Sequence, residues 1–159
     1  MRVLICGGGV IGASIAYFLS LRHVEAVVIE STGIASAASG KSGGFLALDW
    51  CDGSPLAPLA RRSFELHATL AAELGGQWGY RRLETLGVVA SARRALGSAS
   101  RQALPDWMAR GAMLTQRLGG PATTAQIDPA AFTRRMMDAA IERGGPAAHR
   151  PGHGSGAQP

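Results

Sequence analysis

The run Gly7-Gly8-Gly9-Val10-Ile11-Gly12 constrains this chain of 159 residues more than any other feature. It sets Gly7, Gly9 and Gly12 in a Gly-x-Gly-x-x-Gly pattern, after the apolar run 2–6 and before a segment, 10–22, with helical spacing of apolar residues. In such a turn the first glycine permits the sharp exit from a strand. The second removes a Cβ that would hold a pyrophosphate away from the backbone, and the third lets the helix pack close to the sheet. The N–H groups opening the helix, those of Val10 and Ile11 among them, offer donors and partial positive charge to an anion.

A second apolar run, 26–29, ends at Glu30, which lies 18 positions after Gly12. That is close to the offset of roughly 20 residues at which a carboxylate reaches ribose hydroxyls. A carboxylate there repels a 2′-phosphate, which disfavours NADP and leaves NAD and FAD both open. Neither strand run alternates with polar residues, as expected of parallel strands covered on both faces. Cys6 is therefore expected to be a small buried residue, and Ile11, Ile15, Phe18 and Leu19 to form the apolar face of the helix. Strand, helix and strand within about 30 residues make one βαβ unit and an α/β fold class.

Downstream, residues 31–44 form a long loop of small residues containing Ser39-Gly40-Lys41-Ser42-Gly43-Gly44. A loop of this length without structure of its own is usually functional or disordered. Helical spacing returns over 57–74, with Leu59, Phe64, Leu66, Leu70 and Leu74, and Gly75-Gly76 ends it. Residues 80–90 read as strand. Residues 91–122 show no clear pattern beyond a helical start at 106–108. A short strand at 125–128 precedes a helix over 130–143 carrying Phe132, Met136, Ala139 and Ala140. From 145 onward glycine, proline, alanine and histidine dominate without apolar periodicity, which predicts a structureless tail.

Composition excludes more than it selects. Hydrophobic residues are 47% of the chain, enough for a core. The net charge of +5 comes almost wholly from arginine, with Lys41 the single lysine. The arginine pairs at 61–62, 81–82, 93–94 and 134–135 are scattered rather than gathered into a stripe with stacking aromatics, so they read as solvated surface charge, not as a nucleic-acid interface. Cys6 and Cys51 make no disulfide framework, and the four histidines show no metal-ligand spacing. There is no signal-peptide pattern, and no apolar stretch reaches the ~20 residues of a membrane span. The expected setting is cytoplasmic. No feature sets an oligomeric state.

The run from Val3 to Glu30, followed by Ala37-Ala38-Ser39-Gly40-Lys41-Ser42-Gly43-Gly44-Phe45-Leu46-Ala47, resembles the N-terminus of the FAD-dependent oxidoreductases related to D-amino-acid oxidase, a group that includes glycine and sarcosine oxidases. The resemblance covers about residues 1–144 and is strongest in the first 50. It implies FAD as cofactor and a small-molecule amine or amino acid as substrate, with hydride passing to the flavin and oxygen reoxidising it. It also implies FAD contacts from Ser39, Gly40, Lys41, Ser42, Gly43 and Gly44, beside Gly7, Gly9, Val10, Ile11, Gly12 and Glu30. The implied fold is a Rossmann-like FAD-binding βαβ domain with an incomplete α+β substrate domain. Residues 1–76 would form the FAD-binding part, 77–128 the partial substrate domain, 129–144 a helix returning to the FAD domain, and 145–159 the tail. A family member would be more than twice as long, so the chain reads as truncated, lacking most of its substrate-clamping residues. No catalytic residue is nominated. Lys41, Trp50 and His67 have plainer roles in phosphate contact, loop packing and helix surface. Two alternatives remain. One is a non-catalytic nucleotide-binding fragment. The other, an NAD-dependent dehydrogenase of the short-chain class, lacks its Tyr-x-x-x-Lys pair, since Leu21 follows Tyr17 and Glu84 follows Tyr80 at that spacing.

Overall fold

The computed structural model describes residues 1–90, 105–107, 112–145 and 148–149. In chain order its elements are β1 (Arg2–Cys6), α1 (Val10–Ser20), β2 (Glu25–Ile29), α2 (Ala38–Lys41), β3 (Phe45–Ala47), α3 (Ala57–Glu73), β4 (Arg81–Arg82), β5 (Thr85–Ala90), β6 (Ala112–Gly119), β7 (Thr124–Gln126), α4 (Pro129–Glu142) and β8 (Ala148–His149). They group into two compact units. The first comprises Met1–Gly44, Ala68–Tyr80 and the chain from Ile127; the second comprises Phe45–His67 and Arg81–Gln126.

In the first unit β1 and β2 pair in parallel, Val3 opposite Ala26 through Cys6 opposite Ile29, with α1 as the crossover. The expected βαβ unit is therefore present. Helix α4 forms for legible reasons. Asp128 caps it by accepting from the Ala131 N–H at 2.9 Å, and Pro129 fills its first turn. Gly144, at φ +78°, ends it while Gly145 donates back to the Ala140 carbonyl. The buried face of α4 carries Phe132, Met136, Met137, Ala139 and Ala140, and it packs against α1. Phe132 meets the buried Trp78 edge-to-face at 5.5 Å.

Helix α1 buries a different face from the one its large apolar residues suggest. Gly12, Ala13, Ala16, Tyr17 and Ser20 face inward, while Ile11 is 74% exposed and Ile15 43%. Small residues let α1 approach its neighbours closely, and that packing outweighs the burial of two isoleucines. Strand β1 departs likewise from the two-sided cover expected of it. Leu4 is 65% exposed, and Cys6 is exposed rather than buried. Only one face of the β1–β2 pair is covered among the described residues.

Two stretches read as structureless contain regular structure. Residues 38–41 of the 31–44 loop wind into α2. Ala148–His149, within the expected tail, pair in parallel with Val28–Ile29 of β2. The other residues from 146 onward lie outside those described.

In the second unit β7 lies between β3 and β4, antiparallel to both. This pairing joins residues 45–47, 81–82 and 124–126 in one sheet. Strands β5 and β6 form a separate antiparallel pair with two register shifts. β6 falls in the stretch without a clear sequence pattern; of the helical start at 106–108, Asp106 and Trp107 lie in a turn and Met108 is outside the described residues. The arginines at 61–62 and 81–82 are exposed, as expected of surface charge; Arg61 pairs there with Asp52, and Arg82 lies over the Phe64 ring at 4.3 Å. Residues 93–94 lie outside those described. Among the described residues no helix is long and apolar enough to cross a membrane, and no cluster of histidine, cysteine and carboxylate side chains is arranged to hold a metal.

Candidate nucleotide-binding site

The site grows out of the turn between β1 and α1. Gly7 leaves the strand at φ +101°, a conformation that L side chains resist, while its N–H extends the ladder to the Ile29 carbonyl at 2.8 Å. A Cβ on Gly12 would stand 2.0 Å from the Gly7 carbonyl oxygen, so only glycine lets α1 come this close to the strand end. A Cβ on Gly9 would stand 3.0 Å from the Ser39 hydroxyl.

Gly8, a spacer in the sequence pattern, is as restricted as its neighbours. Its Cβ would lie 2.5 Å from Ile34 Cδ1 and 3.2 Å from Glu30 Cγ. Its N–H donates to Glu30 Oε2 at 2.7 Å, and its carbonyl accepts from the Ala35 N–H at 3.0 Å. Sequence reasoning passed over Gly8, Ile34 and Ala35; the available signal was a glycine where the pattern tolerates any residue.

Glu30 ends β2 as a carboxylate held by backbone donors. Beyond Gly8, its Oε1 accepts from the N–H groups of Thr32 at 2.7 Å and Gly33 at 3.2 Å. These bonds, that from Gly8 first, bring its pKa down to about 2, so the side chain stays ionised at any ordinary pH. The backbone of Ser31 lowers it further, so the carboxylate is held by the chain on several sides at the end of β2.

The loop after β2 reaches back to α1 through Ser39, whose Oγ accepts from the Val10 N–H at 2.9 Å. Gly9, at the N-cap position, has no side chain to do this. Among the described residues the N–H groups of Ile11 and Gly12 have no acceptor. A groove of about 490 Å³ runs beside this turn, bordered by Leu4, Cys6, Gly9, Ile11, Ile15 and Ser39.

The structure thus gathers Gly7, Gly9, Val10, Ile11, Gly12 and Ser39 around one groove, with Glu30 joined to the turn through Gly8. Gly40 and Gly44 answer first to the chain itself. A Cβ on Gly40 would meet the Ala35 carbonyl oxygen at 1.9 Å, and one on Gly44, at φ +69°, would meet that of Ile127 at 2.1 Å. Lys41, Ser42 and Gly43 lie exposed and do not border the groove. Elsewhere, Trp50 Nε1 donates to the Leu118 carbonyl at 2.9 Å. His67 is not a helix-surface residue: it is half-buried, and burial lowers its pKa.

The family model described as DAO, FAD dependent oxidoreductase, matches residues 2–150. A Schizosaccharomyces pombe protein provisionally named an oxidoreductase is 34% identical over 148 residues, 87% of this chain and 38% of that protein. Glycine oxidase of Geobacillus kaustophilus is 39% identical over 79 residues, 48% of this chain and 21% of that enzyme. The crystal structure of glycine oxidase from Bacillus cereus superposes with a TM-score of 0.72 at 24% identity, covering 93% of this chain and 47% of that one, a likeness of fold. The chain therefore spans less than half the length of each of these relatives. With a match running nearly from end to end and a glycine turn of this geometry, the chain belongs to the DAO family of FAD-dependent oxidoreductases.

Proposed function

We propose that this chain holds FAD on its β1–α1–β2 unit and serves an oxidoreductase acting on a small amine or amino acid. The observation that carries the reading is the donor set of the turn. Ile11 and Gly12 present N–H groups without acceptors where a pyrophosphate would lie, Gly9 carries no Cβ at the turn, and Gly12 lets α1 close on the strand end. Glu30, ionised and anchored by backbone donors, would accept from a ribose hydroxyl and repel a 2′-phosphate. Gly40 and Gly44 would shape the loop, and Lys41, Ser42 and Gly43 would close over the nucleotide. The names of the relatives, glycine oxidase among them, support a small amino acid as substrate.

When bound, FAD would supply the acceptor for hydride from the C–H bond beside the substrate nitrogen and pass the electrons to oxygen. The chain's own residues would bind and orient it; none is assigned a part in the chemistry. A second reading is nucleotide binding without turnover, because the turn, Glu30 and the groove account for holding a nucleotide and no described residue is assigned a part in the chemistry.

The test is a visible absorption spectrum after incubation with FAD and desalting, followed by a peroxide assay with glycine, sarcosine and D-alanine. A retained flavin spectrum with peroxide formation supports the first reading, and a retained spectrum without peroxide supports the second. A folded, colourless chain that retains NAD instead sinks the assignment of the site to FAD.

A further inference from the structure

We propose that Ile34 is the positioning residue for Glu30, its side chain filling the place of one that Gly8 lacks and so fixing where the carboxylate meets a ribose. The inference rests on the reading of Glu30 as the ribose partner of a bound nucleotide and adds to it the residue that sets where that carboxylate stands.

Glu30 is fastened in two ways. Its bonds from the N–H groups of Thr32 and Gly33, two and three residues on, belong to the chain reversal after β2 and form wherever that turn forms. The bond from the Gly8 N–H, 22 positions away, ties the carboxylate to the glycine turn. Gly8 is gripped at its other end too, because its carbonyl accepts from the Ala35 N–H at 3.0 Å. Residues 30–35 thus close round the backbone of a single glycine.

Ile34 sets the separation of the two parts. A Cβ on Gly8 would lie 2.5 Å from Ile34 Cδ1, 3.2 Å from Glu30 Cγ and 3.3 Å from Glu30 Oε2, so Ile34 and Glu30 share the space over that glycine. Close-packed side chains tolerate neither an overlap nor a gap of one methyl group without a shift. Ala35, the next residue, is buried at φ +60°, a conformation that an L residue seldom takes. Its bond to Gly8 holds it there, as does its fit to Gly40, whose Cβ would stand 1.9 Å from the Ala35 carbonyl oxygen. With its neighbour pinned, Ile34 cannot follow a change at Gly8. A shorter side chain at 34 would open a gap over Gly8 and let the Gly8–Glu30 bond lengthen, while the bonds from Thr32 and Gly33 stay.

The experiment titrates ADP and 2′,3′-dideoxyADP, which lacks the ribose hydroxyls, into the parent chain, Ile34→Ala, Gly8→Ala and the double variant Gly8→Ala with Ile34→Val. The parent is expected to prefer ADP roughly tenfold or more, the worth of a hydrogen bond to a charged group. Ile34→Ala should remove most of that preference while dideoxyADP binds as it does to the parent, and Gly8→Ala should do likewise through its overlap with Cδ1. The double variant adds a methyl group where it removes one, and should recover most of the preference; a side chain that only stabilises the fold gives no such rescue. Amide hydrogen exchange supplies a readout without ligand. Gly8 should exchange faster in Ile34→Ala, and Gly7, bonded to the Ile29 carbonyl, should not. An unchanged preference for ADP in Ile34→Ala overturns the proposal, as does an equal loss for both nucleotides. A parent chain that binds ADP without preferring it removes Glu30 as the ribose partner, and one that binds neither nucleotide removes the nucleotide site. Either result is read before any variant is made and takes the proposal with it.

Discussion

At the scale of single residues, the site is held by close backbone contacts, and these make sharply different demands on neighbouring glycines. Gly12 faces a carbonyl oxygen at 2.0 Å from its would-be Cβ, whereas a Cβ on Gly33 would meet nothing within 4 Å. Gly12→Ala is expected to cost about 1–3 kcal/mol or more by overpacking against rigid backbone. Gly33→Ala, an ordinary surface change, should stay within about 0.5 kcal/mol. Equal chemical-denaturation midpoints for the two variants would contradict the geometry. Glu30 makes a different demand. Its pKa is lowered to about 2 in the folded chain, from an ordinary value of 4.5. Its stabilising contribution is thus fully present above the unfolded value and is lost as pH falls from about 4.5 toward about 2. Glu30→Gln should flatten the fall in urea midpoint between pH 5 and pH 2.5; a variant with the parent's pH dependence would show that the backbone bonds to Glu30 carry no linkage. The sequence pattern reached Gly7, Gly9, Gly12 and Glu30 because their spacing reflects local chain geometry. It passed over Gly8 and Ile34 because their contact arises only once the loop folds back.

At the scale of elements, periodicity located α1, α3 and α4 to within two residues but misjudged the orientation of α1. The face chosen by size held Ile11 and Ile15, whereas the face buried by the fold holds Ala13, Ala16 and Tyr17. Hydrophobicity ranks side chains by transfer free energy, and close approach selects for smallness, which a count of large apolar residues cannot register. The two criteria agree in α4, where Phe132, Met136, Ala139 and Ala140 are all buried as their spacing implies. Strand β6 escaped detection because its sequence, Ala-Met-Leu-Thr-Gln-Arg-Leu-Gly, alternates poorly and its pairing with β5 shifts register. A paired substitution tests the orientation of α1. Ala16→Leu, at a fully buried position, should cost about 1–3 kcal/mol through overpacking. Ile11→Ala, at one 74% exposed, should cost under about 0.5 kcal/mol. Thermal melts ranking Ile11→Ala as the worse variant would restore the face suggested by size.

At the scale of the whole molecule, the parallel sheet has an unprotected edge. Among the described residues β1 pairs only with β2, so the backbone groups along its other side have no strand partner. Natural edge strands are commonly blunted by lysine, proline or a bulge. β1 carries none of these, only an arginine at its start that is paired with Glu25. Beside this edge Leu4, Ile11 and Ile15 are exposed and border the same groove. An open ladder next to contiguous apolar side chains favours association, and the net charge of +5 on 159 residues gives modest repulsion against it. The 159-residue chain is therefore expected to self-associate at micromolar concentration, and Leu4→Lys to shift it toward monomer by placing a charge on that edge. Sedimentation velocity across a concentration series measures both. A parent chain that remains monomeric throughout would mean that the edge of β1 is protected. Association unaffected by Leu4→Lys would place the contact elsewhere, for which Leu56 and Leu59, 58% and 68% exposed at the start of α3, are the next residues to substitute.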